Sequence, residues 1–129
     1  MVGIVIVSHS ENLAKSVIEL ISVMVPDGKI AAAGGTEDGK IGTSFNKIQS
    51  AIESVYSDDG VIVLMDLGSA VMTTEMVIEM MEGKKVVMAD CPLVEGAVVA
   101  SIEAFSGVPL EKILEKLETV GTTKKISKI

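Results

Sequence analysis

The chain has one histidine, His9, one residue past the apolar run Val2-Gly3-Ile4-Val5-Ile6-Val7 and directly before Ser10-Glu11-Asn12, a helix start. That address is the carboxyl end of a buried strand, where open α/β sheets gather ligands and chemistry. An ordinary imidazole titrates near ~6.5, so around neutral pH one of its ring nitrogens is free to act as base or nucleophile. Which nitrogen is free depends on what holds the other. A carboxylate accepting from Nδ1–H leaves Nε2 open and stabilises the cation formed on attack. Asp66 closes another apolar run and is the candidate for that role; its alternative is to cap the helix that follows.

Three kinds of chemistry could use such a group. A serine-type triad would draw on Ser8, Ser10 or Ser69, but none of them sits in a Gly-x-Ser-x-Gly elbow, so hydrolysis is poorly supported. Phosphorylation of the histidine itself fits better. Helix N-termini at Ser10-Glu11 and Gly68-Ser69 would point free N–H groups and positive dipole ends at an anion, and serving as N-caps is compatible with that contact. The third is nucleotide binding, suggested by Gly34-x-x-x-x-Gly39-Lys40. It fails because Ile41 stands where a hydroxyl should hold Mg²⁺, Gly42 weakens the helix start, and Glu37 and Asp38 put negative charge in the loop. The stretch reads instead as a flexible flap, with Thr43 or Ser44 capping the next helix and Thr36 able to donate to a phosphate opposite His9. Cys91, before Pro92, reads as a small buried residue rather than a reactive thiol.

Composition narrows the choice. With 129 residues, 48% of them apolar, the chain is expected to form one globular domain over residues 1–129. The net charge is -7, all eleven cations are lysines, and there are three aromatics, so nucleic-acid binding is not expected. Without arginine, a phosphate site must rely on backbone N–H groups, hydroxyls or lysine. One histidine and one cysteine cannot build a typical zinc site, and no metal is expected. No apolar run approaches the ~20 residues of a membrane span, no secretory leader is visible, and a lone cysteine suits the cytoplasm.

Four apolar, β-branched runs, residues 2–7, 30–33, 60–66 and 85–90, predict strands. Helical spacing joins Leu13, Val17, Leu20, Ile21 and Met24, then Phe45, Ile48, Ile52 and Val55. A third stripe holds Met72, Met76, Met80 and Met81, and a fourth Val94, Val98, Val99, Ile102 and Phe105; both predict core-facing surfaces. Met72 falls near the crevice mouth, where adaptable apolar surface would suit a protein partner. A last helix follows Pro109 with Leu110, Ile113, Leu114 and Leu117. Residues 124–129 predict either an extra edge strand or a frayed end. Alternation of strand and helix predicts an α/β fold, a single doubly wound, mostly parallel four-stranded sheet of order 2-1-3-4 with helices on both faces. Its switch point lies between strands 1 and 3, which brings His9 to Asp66-Leu67-Gly68-Ser69.

Taken together, Val5-Ile6-Val7-Ser8-His9-Ser10, Gly34-Gly35-Thr36 with Gly42-Thr43-Ser44, and Leu64-Met65-Asp66-Leu67-Gly68-Ser69-Ala70 followed by Thr73-Thr74-Glu75 are specific. Over essentially the whole chain, these motifs resemble the phosphotransfer subunits of phosphoenolpyruvate-dependent dihydroxyacetone kinases, a branch of the mannose-type EIIA superfamily of the sugar phosphotransferase system. The resemblance implies that His9 is phosphorylated through Nε2 by the carrier protein HPr. The group would then pass to ADP held on a second subunit, for use on dihydroxyacetone bound by a third. It implies Asp66 as the residue orienting His9, with Ser10, Thr36, Gly68 and Ser69 around the phosphoryl group. It also implies a homodimer and no cofactor bound by this chain; some relatives carry fused donor domains, and with Ile129 as the last residue the donor is expected to arrive in trans. Two other readings stay open: a mannose-type EIIA domain serving a sugar transporter's EIIB component, and a non-catalytic nucleotide-binding or regulatory module.

Overall fold

Strand β1, Gly3–Ser8, is buried at every position, which is why its sequence shows no polar alternation. The computed structural model describes residues 1–127. After β1 come α1 (Glu11–Ser22), β2 (Ile30–Gly34), α2 (Phe45–Val55), β3 (Val61–Met65), α3 (Ser69–Met80), β4 (Val86–Met88), α4 (Leu93–Phe105) and α5 (Leu110–Leu117). The four strands are all parallel, in the expected order β2-β1-β3-β4. No helix among the described residues is long and apolar enough to cross a membrane.

Side chains alternate across the central strand and so build two cores. Ile4 and Ile6 join Val17 and Ile21 of α1, Ala97 and Ala100 of α4, and Ile113 of α5. Val5 and Val7 face Ile48 and Ile52 of α2 and Ala70 and Val77 of α3. Ser10 and Ser44 cap α1 and α2 by accepting from Leu13 N–H and Lys47 N–H. Each such cap typically stabilises by about 1 kcal/mol.

Two helices present a different face from the expected one. On α3 the buried residues are Ala70, Thr74 and Val77, while Met72 is 73% exposed and Met76 and Met80 also face out. On α4 the buried set is Gly96, Ala97, Ala100, Ser101 and Ala104, with Val94, Ile102 and Phe105 toward the surface. The cause is close approach. A Cβ at Gly96 would run into Cys91 and Leu64, so only small side chains let α4 lie this near the sheet. The tail also departs from the strand expectation: after a turn at Val120–Thr122, residues 124–127 add no strand to the sheet. Lys125 instead pairs with Glu95 at 2.5 Å. Lys128 and Ile129 lie outside the described residues.

One glycine fixes how β2 meets the start of α1. A Cβ on Gly34 would stand 2.5 Å from the Ser10 carbonyl oxygen and 2.7 Å from Glu11 Cα, both backbone atoms that cannot step aside. Gly34→Ala should therefore destabilise the fold by about 1–3 kcal/mol, the usual scale of forced overpacking. Urea unfolding measures this as a lower midpoint; an unchanged midpoint would show that the backbone yields freely.

Candidate functional site

The register of the sheet creates the site. Val7 of β1 lies opposite Met65 of β3, so the next residues, Ser8-His9 and Asp66, emerge side by side. The Asp66 N–H donates to the Val7 carbonyl at 3.2 Å and extends the ladder by one rung. The Asp66 carboxylate then collects four donors. Oδ2 accepts from Ser8 Oγ at 2.8 Å and from His9 N–H at 3.0 Å. Oδ1 takes His9 Nδ1 at 2.9 Å and Leu67 N–H at 2.7 Å. Partial burial pushes the Asp66 pKa up, but bonds from the His9 amide, the His9 ring, Ser8 and Leu67 outweigh it and hold the carboxyl below its usual range.

An ionised carboxylate has no proton to give, so Nδ1 carries the hydrogen and Nε2 bears the lone pair. The Ser69 hydroxyl lies 2.6 Å from Nε2 and donates to it. The His9 side chain is 20% exposed. Ser69 opens α3, after Gly68 in the capping position. The amides of Gly68 and Ser69 have no acceptor among the described residues, and the space beside Gly68 is open. A nucleophilic nitrogen, a hydroxyl and two free amides at the positive end of a helix thus converge, an arrangement suited to a tetrahedral oxyanion group.

Of the residues expected from sequence, His9, Asp66, Gly68 and Ser69 come together. Ser10 caps α1 through its hydroxyl and receives no bond from the His9 ring. Thr36 makes no hydrogen bond to the His9 ring: its hydroxyl bonds to Asp38 and accepts from Lys40 N–H at 3.1 Å, which closes a turn within its own loop. That loop is stitched to β1 rather than hanging as a free flap. Gly35 N–H donates to the Ser8 carbonyl at 3.1 Å and Gly42 N–H to the His9 carbonyl at 2.9 Å. Lys47 Nζ donates to the Gly34 carbonyl at 2.9 Å, and Thr43 and Thr73 share a hydrogen bond that ties the loop to α3. Nothing here forms a phosphate cradle, and Lys40 extends into solvent beside Asp38.

Ser8, weighed in the sequence only as a member of a hydrolytic triad, takes a different place in the structure. It is fully buried, and its hydroxyl accepts from Ser10 N–H at 3.0 Å while donating to Asp66. The visible signal was a lone polar residue ending a wholly apolar strand. Cys91 stays a thiol, because burial and then the charge of Asp90 push its pKa up. No group of three or more His, Cys, Asp or Glu side chains among the described residues could hold a metal. A 510 Å³ cleft runs from Asp66, Leu67 and Gly68 to Met88 and Asp90, and gives the crevice a shallow apolar wall.

Residues 3–117 match the family model described as PTS system fructose IIA component, EIIA-man. The chain is 42% identical to the Listeria innocua serovar 6a protein named PEP-dependent dihydroxyacetone kinase 1, phosphoryl donor subunit DhaM, over 92% of this chain and 94% of that one. It is 41% identical to the Lactococcus lactis protein named PTS-dependent dihydroxyacetone kinase, phosphotransferase subunit DhaM, over 90% and 93%. The similarly named Escherichia coli K12 protein is 41% identical over 88% of this chain but only 26% of its own length. Among solved structures, a protein of unknown function, EF1359, superposes with TM-score 0.80 at 30% identity, covering 98% of this chain and 100% of that one. The phosphotransferase system component EIIA of Streptococcus agalactiae superposes with TM-score 0.71 at 17% identity, over 95% and 93%, a likeness of fold.

Proposed function

This chain belongs to the EIIA-man family, and from that premise we propose that it is the phosphoryl donor subunit of a PEP-dependent dihydroxyacetone kinase, acting as a phosphohistidine relay on His9. The observation that carries the reading is the His9 ring itself, with Nδ1 held by Asp66 and Nε2 facing Ser69 and the head of α3. In the loading step, the Nε2 lone pair attacks the phosphorus of phospho-HPr. The donor's N–P bond breaks, its electron pair returns to the donor imidazole, and Nδ1–H of His9 stays on Asp66 while the ring becomes cationic. In the discharge step, a terminal oxygen of ADP on the nucleotide-binding subunit attacks that phosphorus. The Nε2–P pair returns to His9, and ATP forms for transfer to dihydroxyacetone on a third subunit.

Ser69 changes partner during the cycle. Its hydroxyl leaves Nε2 when the N–P bond forms and donates, with the Gly68 and Ser69 amides, to the phosphoryl oxygens. Hydroxyls and amides stabilise the bound group moderately; an arginine clamp would hold it harder and slow its departure, and the chain has no arginine. The chemistry needs no cofactor bound by this chain, and the subunit works as a homodimer in the cytoplasm.

Discharge separates this reading from its neighbour. Protein loaded with phosphoenolpyruvate, enzyme I and HPr should lose its acid-labile phosphoryl group to the ADP-bound kinase subunit within seconds and yield ATP. Discharge onto a sugar transporter's EIIB component, with none onto ADP, would assign the chain to the transport branch instead. Binding of ATP–Mg²⁺ without any phosphorylation would support a nucleotide-binding module.

A further inference from the structure

We propose that Ser8 is a positioning residue for the reaction of His9: its buried hydroxyl aims the Asp66 carboxylate and thereby sets the tautomer of the imidazole. The rate part of this proposal rests on reading His9 as the nucleophile; the tautomer part does not.

The geometry assigns each hydrogen. Ser8 Oγ accepts from Ser10 N–H at 3.0 Å, so one side of the hydroxyl is committed and its own hydrogen is directed to Asp66 Oδ2 at 2.8 Å. Ser8 has no access to solvent. Rotation of a carboxylate about Cβ–Cγ is broad and roughly two-fold. Four donors in two pairs remove that freedom: Ser8 O–H and His9 N–H on Oδ2, Leu67 N–H and His9 Nδ1–H on Oδ1. Three of these come from the backbone or from His9 itself. Ser8 supplies the one independent side-chain donor, and it arrives from β1, the strand that also carries His9.

Taking the hydroxyl away leaves Oδ2 with a single amide and the Ser10 N–H without an acceptor. The carboxylate can then turn, its hold on Nδ1–H weakens, and the hydrogen can move to Nε2, where it blocks attack. A residue that merely filled space would alter stability and leave the ring's protonation pattern untouched.

Since the chain has one histidine, the side-chain ¹⁵N spectrum of the unphosphorylated protein at about pH 8 reports His9 alone. The wild type should show a protonated Nδ1 and a lone-pair Nε2. Ser8→Ala should show both tautomers in exchange, and its turnover in loading should fall about tenfold with little change in KM, the scale of one hydrogen bond to an ionised group. Ser8→Cys offers only a weak S–H donor at similar size and should shift the tautomers the same way by less; it carries the test if the alanine variant does not fold. Ser8→Thr, which restores the hydroxyl, should restore the wild-type spectrum. An unshifted spectrum in the Ala and Cys variants would overturn the proposal, as would a rate loss without tautomer change. Absence of phosphorylation in the wild type would refute the relay, whereas the tautomer comparison would still decide the role of Ser8.

Discussion

A His9→Ala variant should take up no phosphoryl group at all, a loss of at least about 10⁴-fold on the scale seen when a covalent nucleophile is removed. Intact-mass measurement after incubation with phosphoenolpyruvate, enzyme I and HPr reads it directly as the absence of the added phosphoryl mass. No neighbouring side chain offers a substitute. Ser69 lies against Nε2 but has no base to activate it once the ring is gone, and the Ser8 hydroxyl is buried and committed to Asp66. The fold should survive, because the ring lies at the rim of the sheet and outside both apolar cores. An adduct that persists in a folded variant would place the acceptor elsewhere.

Asp66→Asn should lower the rate of loading by about 10³–10⁴-fold while leaving the backbone in place, by the same tautomer logic that governs histidines oriented by a carboxylate. The carboxylate accepts four hydrogens, and an amide cannot. With its oxygen on the Ser8 and His9 N–H side, the Asn NH₂ faces Nδ1 and forces the ring hydrogen onto Nε2. Stopped-flow or quench measurement of loading gives the rate; a loss below tenfold would mean that Asp66 is mainly a structural tie. The pH dependence carries a definite sign. The folded Asp66 pKa is depressed, so its contribution to stability is fully present above the ordinary carboxylate value of ~3.9 and is lost as pH falls through the lower folded value. Wild-type stability should therefore drop at the acid end of the range, and that portion of the drop should be missing in the Asn variant.

The order of the strands and the meeting of His9 with Asp66 were legible because they follow from topology. Parallel crossovers of one hand leave few arrangements, and the switch point falls where two strand ends diverge. Helix orientation was less legible where a helix is apolar nearly all round. On α3, Ala70, Thr74 and Val77 form as good a stripe as Met72, Met76 and Met80, and spacing cannot choose between them. Contact distance does: small residues admit the helix to the sheet, and the flexible methionines are left outside. The same competition set Ala97, Ala100 and Ala104 inward on α4. Thr36 turns its hydroxyl into its own loop for a different reason. A hydroxyl in a Gly-rich loop reads equally as a ligand or as a turn-closer, and Asp38 two residues on supplies the local partner that decides it. Ser8 hid because a serine next to the reactive group looks like the edge of a strand until the partner strand's carboxylate is in view.

The His9 ring has a consequence for traffic. The chain has a single histidine, so whichever protein delivers the group and whichever removes it must reach the same nitrogen in turn. At any one His9 the two visitors exclude each other, and the cycle is a double displacement in which throughput depends on how quickly each visitor leaves. Tight grip by either would jam the exchange. Short-lived encounters therefore serve such a subunit better than strong ones, and an excess of the unloaded deliverer should act as a competitor of the receiver.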